Sequence, residues 1–217
     1  MKLVDPKGHG SAIGTTRFTR AVTEKILEAA QVDFELSQVP YARAVLELGD
    51  GRADAVVISE LAVQEPHHDG VRVPLMRLQM VLYSKAPSHD FPLSSSSVIG
   101  NLRGFAVPAQ LSVSGARIES ITSIESMLQM LAKGRISHAL MVRGQAELLM
   151  AEWPELKQGL EETLVVGNQH LIAYFSDRLK KGCSEKLRRA AVKVRAAEME
   201  GLFLTHLPHL DYEKFRY

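Results

Sequence analysis

Apolar positions along this chain fall into one phrase that occurs twice. In residues 39–60, VPYARAVLELGDGRADAVVISE, Ala44, Val45 and Leu48 share a helical face, Gly51-Arg52 follows, and residues 55–58 form a continuous apolar run. In residues 126–144, SMLQMLAKGRISHALMVRG, Met127, Leu128 and Leu131 precede Gly134-Arg135, and residues 139–142 are the apolar run. Glycine is favoured just past a helix end because it takes positive φ without steric cost. Each copy therefore predicts a helix, a glycine stop and a buried strand of the parallel type. Setting Gly51 on Gly134 places the copies one small α/β lobe apart, too far for a solenoid repeat. Two similar lobes are expected.

The remaining pattern fills in around the two copies. Residues 2–4 suit a short strand, and residues 6–14 a loop by their proline and glycines. Phe18, Val22, Ile26 and Ala29 keep helical spacing across residues 15–30, and Phe34 and Leu36 alternate with polar neighbours as a strand. Pro40 suits the first turn of the next helix, where its missing N–H has no partner to lose. Residues 71–85 are rich in strand formers, and KAPSHDFPLSSSS, residues 85–97, has the composition of a linker. Beyond it the pattern predicts strands at 105–107 and 117–121 with the loop PAQLSVSG between them. A helix over 145–153 ended by Pro154, extended chain over 164–175 and a final amphipathic helix over 187–199 follow. The expected organisation is a first lobe over residues 1–86, a second over 87–167 and a return to the first over 168–217. Two crossings of this kind make a hinge beside a cleft, a favoured place for a small ligand.

Composition narrows the function more than the fold. At 217 residues, with 46% hydrophobic and 24% charged residues, the chain is long enough for one large domain or two small ones; either buries about 70% of the surface its unfolded form exposes. The 26 basic and 25 acidic side chains leave a net charge of +1, which gives no sign of nucleic acid or an acidic membrane surface as partner. The one basic run, residues 180–195, alternates with Leu187, Ala190, Ala191 and Val194 at helical spacing and reads first as a solvated helix face, with a partner surface as the alternative. Cys183, the one cysteine, can form neither an internal disulfide nor a thiolate metal site. No segment approaches the length of a membrane span, and MKLVDPKGHG has no hydrophobic signal core. The chain is expected to be soluble, either cytoplasmic or already stripped of an export signal.

The order of these elements, with VPYARAVLELGDGRADAVV, NLRGFAV at residues 101–107 and GRISHAL at residues 134–140, resembles the family 3 bacterial extracellular solute-binding proteins. Members of that family bind amino acids with the type II periplasmic-binding fold. The similarity runs from about Gly14 to about Pro208. It implies an α/β fold of two lobes, closing by two hinge crossings around a small polar or charged solute. It also implies a periplasmic or extracellular location, service to an ABC-type importer or a signalling partner, a monomeric state, no cofactor and no nucleic acid. Tyr41 stands where members of the family present an aromatic side chain to the ligand. A flat ring can cover an apolar body or a cation; the alternative is a ring that staples the start of its helix.

Two departures bear on the ligand. The stretch ISELAVQEPHH, residues 58–68, retains Ser59 but has Pro66 near the arginine that clamps the ligand carboxylate in the family. The aspartate that holds the ligand ammonium would fall near Val142, in ALMVRG. Without both anchors an ordinary α-amino acid leaves its charges poorly paired in a desolvated cleft, so the ligand is expected to be something else. Arg43, Arg77 and Arg143 are candidate anion partners, Glu60 a cation partner, and Gln110 and Ser112 donors from the second lobe; for each arginine the alternative is a surface residue or an ion pair within the chain. The front of the chain, KLVDPKGHGSA, also lacks the P-P-F/Y turn of the family.

Other chemistry finds little support. GHGSAIG at residues 8–14 is one residue too long for a dinucleotide fingerprint, and Pro6 interrupts the strand that should precede it. No phosphate loop, nucleophile elbow or zinc-protease helix occurs. His67-His68 and HLPH at residues 206–209 lack nearby carboxylate or cysteine partners, so no metal is expected. Two alternatives to a transport receptor remain. One is a cyclic-acid dehydratase on the same fold with Glu60 as general acid or base, and the other a ligand-sensing domain of a signalling or regulatory protein.

Overall fold

The computed structural model, which describes residues 1–6, 13–60, 70–85, 92–105, 107–157 and 159–216, divides into two units. The first comprises Met1–Arg77 with His170–Tyr217, and the second Leu78–Gln169. In the first unit lie strand β1 (Lys2–Pro6), helix α1 (Ile13–Ala29), strand β2 (Glu35–Val39), helix α2 (Tyr41–Gly49) and strand β3 (Ala55–Ser59). The long strand β4 (Val71–Lys85) carries the chain into the second unit. There follow β5 (Val98–Leu102), α3 (Ala109–Ser112), β6 (Arg117–Ile121), α4 (Ile124–Ala132), β7 (His138–Val142), α5 (Arg143–Glu152) and α6 (Pro154–Lys157). Strand β8 (Leu160–Phe175) returns to the first unit, which ends in α7 (Lys181–Ala197), α8 (Met199–His206) and α9 (Tyr212–Phe215). The division falls inside β4 and β8, and not in the polar stretch of residues 85–97.

Within each unit the strands follow one plan. The first has the order β2-β1-β3-β8, with β1 parallel to β2 and β3, and β3 antiparallel to β8. The second has β6-β5-β7-β4, with β5 parallel to β6 and β7, and β7 antiparallel to β4. β3 and β7 are buried along their whole length, as continuous apolar runs with parallel neighbours require.

The repeated phrase folds the same way in both units, down to individual hydrogen bonds. After α2, Gly51 N–H donates to Leu48 O and Arg52 N–H to Glu47 O; after α4, Gly134 N–H donates to Leu131 O and Arg135 N–H to Met130 O. This is the paired closure of a Schellman motif, and both glycines take positive φ, +65° and +67°. Three residues past each glycine a short polar side chain secures the start of the first strand. Asp54 Oδ2 accepts from Lys2 N–H at 2.8 Å, and Ser137 Oγ accepts from Val98 N–H at 2.8 Å. The backbone N–H groups of Asp54 and Ser137 return bonds to the carbonyls of Lys2 and Val98.

The cores lie against these sheets. In the first unit Val4, Ala44, Leu48, Val56, Ile58, Ile172 and Tyr174 pack together, while Phe18 of α1 meets Phe203 of α8 edge to face at 5.3 Å. Phe203 also packs on Tyr212 and Phe215 of α9, so the C-terminal helices complete the core; α7 is not the final helix. In the second unit α4 and α5 bury Met127, Leu128, Leu131, Ala146 and Leu149 against Val81, Ala139 and Met141. The strand expected at 105–107 lies instead at Val98–Leu102, and the loop after Pro108 contains the short helix α3. Gly100 sits inside β5 because a Cβ there would stand 2.7 Å from Ile136 Cδ1 and 2.8 Å from Ile121 Cδ1.

Candidate functional site

In sheets of parallel strands, ligand groups gather beyond the carboxyl ends of the strands. In the first unit β3 ends at Ser59, whose N–H donates to the Tyr41 phenol oxygen at 3.1 Å. The Tyr41 ring opens α2 and packs on the core of that unit, and burial pushes its pKa up to about 12, the bond from Ser59 opposing only in part. Tyr41 is therefore a neutral phenol that ties the start of α2 to the end of β3. The bond brings Tyr41, Ser59 and the adjoining Glu60 into one place.

Glu60 has a partner that the sequence did not suggest. Its Oε1 accepts from the backbone N–H of His170 at 3.0 Å and lies 2.6 Å from His170 Nδ1. The carboxylate thus fixes the imidazole at the point where β8 enters the first unit. A carboxylate–imidazole pair of this kind can hold a charge or move a proton.

The three candidate arginines are already engaged. Arg43 Nε donates to Glu47 Oε1 at 2.9 Å, and Lys2 Nζ reaches Glu47 Oε2 at 2.9 Å. Hydrogen bonds from Lys2 and Arg43 hold the Glu47 carboxyl below its ordinary pKa. Arg77 donates through Nε and Nη2 to the carbonyl of Lys214, at 3.3 and 2.9 Å, and so secures α9. In the second unit Arg143, the first residue of α5, pairs bidentately with Glu162, through Nε–Oε2 at 3.0 Å and Nη2–Oε1. Gln110 donates its side-chain amide to the Val166 carbonyl, and Ser112 is exposed at the end of α3. Gln110 and Arg143 are thus both held against β8, whereas Arg43 is held to Glu47 and Arg77 to the Lys214 carbonyl.

Two further features escaped the sequence. Asp5, near the carboxyl end of β1, is 1% exposed. Its Oδ2 takes Arg20 Nε at 2.7 Å and Arg20 Nη2 at 2.5 Å, while Oδ1 has no hydrogen-bond partner among the described residues. Burial raises the Asp5 pKa against the opposing pull of Arg20. In the second unit a recess near the carboxyl ends of β5 and β7 is lined by Met80, Met127 and Met141, with Asn101 and Gln145 as its polar groups. Among the described residues its lining carries no charge. Neither a lone buried aspartate nor a scattered methionine set leaves a periodic signal.

Pro66, His67 and His68 lie outside the described residues, as does most of GHGSAIG. Among the described residues no cluster of three metal-ligating side chains occurs, and no helix is long and apolar enough to cross a membrane.

The sequence matches no protein-family model and no curated protein. Solved structures do match. The GluR0 ligand-binding core from Nostoc punctiforme in complex with L-glutamate aligns with a TM-score of 0.74 over 95% of this chain and 98% of its own, at 10% identity. The VFT2 domain of BvgS from Bordetella pertussis, in a double-mutant form, aligns at 0.69 over 94% and 91%, with 14% identity. The arginine-, lysine-, histidine-binding protein ArtJ from Geobacillus stearothermophilus aligns at 0.68 over 89% and 87%, with 13% identity. The chain therefore has the fold of these ligand-binding domains, the type II periplasmic-binding fold.

Proposed function

We propose that this protein is a small-solute receptor that closes its two units around a ligand on the periplasmic or extracellular side, as a monomer and without a cofactor. The observation that carries the reading is the alignment over nearly the full length of both chains with a ligand-binding core that holds L-glutamate. The mechanism is a population shift, in which contacts from both units are complete only in the closed state. Taking a mostly open receptor to mostly closed requires a preference of about 5 kcal/mol for the closed form.

The ligand is not an ordinary α-amino acid. The family's carboxylate clamp and ammonium anchor have no counterpart in ISELAVQEPHH and ALMVRG, and Arg43, Arg77 and Arg143 each have a partner within the chain. Ser59, the Glu60–His170 pair, Gln110, Ser112 and Arg143 are the polar groups offered to a solute, with Tyr41 holding the first of them in place. The receptor serves either an importer or a sensor.

A thermal-shift screen with amino acids, polyamines, small carboxylates and sugars tests this, because a ligand that binds only the folded state raises Tm. One class is expected to raise Tm with concentration, and Glu60→Gln or Arg143→Ala to weaken that response. Tyr41→Phe, which leaves Ser59 N–H without this acceptor, is expected to lower the Tm of the free protein. A screen flat across all four classes overturns the receptor reading. A second reading rests on the Glu60–His170 pair, which has the make-up of an acid–base dyad. Turnover of a cyclic hydroxy acid, abolished in Glu60→Gln, would establish it.

A further inference from the structure

Helix α7 carries an unusual concentration of charge. Its 17 residues hold six cations, Lys181, Lys186, Arg188, Arg189, Lys193 and Arg195, and one anion, Glu185. That is a net +5 on one helix of a chain whose whole charge is +1, which leaves the rest of the chain at −4. The segregation follows from the helical period. Leu187, Ala190, Ala191 and Val194 form the buried stripe, packed toward α1 and α8, and every cation falls outside it on exposed positions. Among the described residues no salt bridge neutralises Lys181, Lys186, Arg188, Arg189 or Lys193.

The outer face says what kind of partner fits. It is about 25 Å long at the helical rise, convex, and offers Val192, 70% exposed, as its one large apolar side chain. A protein interface needs an apolar, close-packed centre around which charges form a rim, and this face has no such centre. A broad anionic surface needs none. Nor can the face insert among acyl chains, since the apolar stripe of α7 is spent on the core. We propose that the exposed face of α7 is a peripheral docking surface for an anionic phospholipid bilayer, held by charge alone. The opposite sign of the remaining charge orients the molecule with α7 toward the lipid.

The purified chain is mixed with phosphatidylcholine vesicles and with phosphatidylcholine–phosphatidylglycerol vesicles, and the bound fraction is read by sedimentation. Binding is expected only to the anionic vesicles, and to vanish in about 1 M salt, where the screening length is about 3 Å. Each Lys or Arg near an anionic leaflet contributes about 1 kcal/mol, close to a fivefold change in affinity. The variant R188Q/R189Q/K193Q should therefore bind about a hundredfold more weakly, with the Tm of the parent, since all three side chains point to solvent. Should it not fold, K181Q/K186Q reads the same term with about a 25-fold loss. Equal binding to both vesicle types, no binding to either, binding that survives high salt or an unaffected variant each overturns the proposal. So does capture by soluble polyglutamate without capture by anionic vesicles, which makes the partner an acidic polypeptide.

Discussion

Gly51 and Gly134 are equivalent in φ and in hydrogen bonding, but their surroundings differ, and that difference can be measured. A Cβ on Gly134 meets nothing within 4 Å, so Gly134→Ala pays only for placing an L side chain in the left-handed region at φ +67°. That cost is about 1–2 kcal/mol. At Gly51 the backbone cost is the same, but a Cβ would overlap the guanidinium of Arg178, whose Nη1 donates to Gly51 O at 3.0 Å. The guanidinium sits at the end of a flexible chain and can swing into solvent, so the extra loss is the exposed hydrogen bond, about 0.5 kcal/mol after screening. Gly51→Ala should then cost about 1.5–2.5 kcal/mol. In an Arg178→Ala background its cost should fall to that of Gly134→Ala. Urea unfolding gives both numbers: Trp153, the one tryptophan, packs on the core of the second unit and reports Gly134→Ala, and far-UV circular dichroism reports Gly51→Ala. A neutral or stabilising Gly134→Ala would refute the positive-φ closure. An excess cost at Gly51 that persists without Arg178 would refute the assignment of that excess to the guanidinium.

Two further outcomes test the charge assignments. The Glu47 carboxyl is held below its ordinary value of 4.5 by Lys2 and Arg43, so it contributes stability above pH 4.5 that is lost as pH falls through its lowered folded pKa. Glu47→Gln should be less stable than the parent at neutral pH and converge with it in acid; parallel stability curves from pH 7 to pH 3 would contradict the pairing. Arg143 and Glu162 are about one-third exposed, at 30% and 36%, so a double-mutant cycle with Arg143→Ala and Glu162→Gln should give a coupling of about 0.5–1 kcal/mol. A coupling near zero would return Arg143 to the set of unengaged cations.

What was legible in the sequence was what a fixed residue type must do. A helix that closes in a Schellman turn needs a residue at positive φ, so glycine marks it, and both copies show the mark at the same offset from helix and strand. The next step in the same construction was not legible, because more than one side chain can perform it. Asp54 and Ser137 both accept from the first residues of a strand, and an acidic residue in one copy and a hydroxyl in the other share no letter. The first strand of the second unit, expected at residues 105–107, lies instead at Val98–Leu102, where a Cβ on Gly100 would meet Ile136 Cδ1 at 2.7 Å.

The same argument limits what a charged residue in a sequence can say about a binding site. Glu60 and His170 are 110 positions apart, and Arg143 and Glu162 are 19 apart on different elements; no periodicity links them, so each charge reads as available until folding pairs it. α7 is the converse case. Its cations are close in sequence, its apolar stripe fixes which side faces the core, and a carboxylate that neutralised them would have to lie on that helix or reach its outer face from another element. Glu185 alone is on the helix, and among the described residues no salt bridge reaches Lys181, Lys186, Arg188, Arg189 or Lys193 from another element. A local charge excess on a helix whose buried stripe is already defined is therefore legible in sequence as a surface property, whereas a single arginine beside a cleft is not legible as a ligand contact.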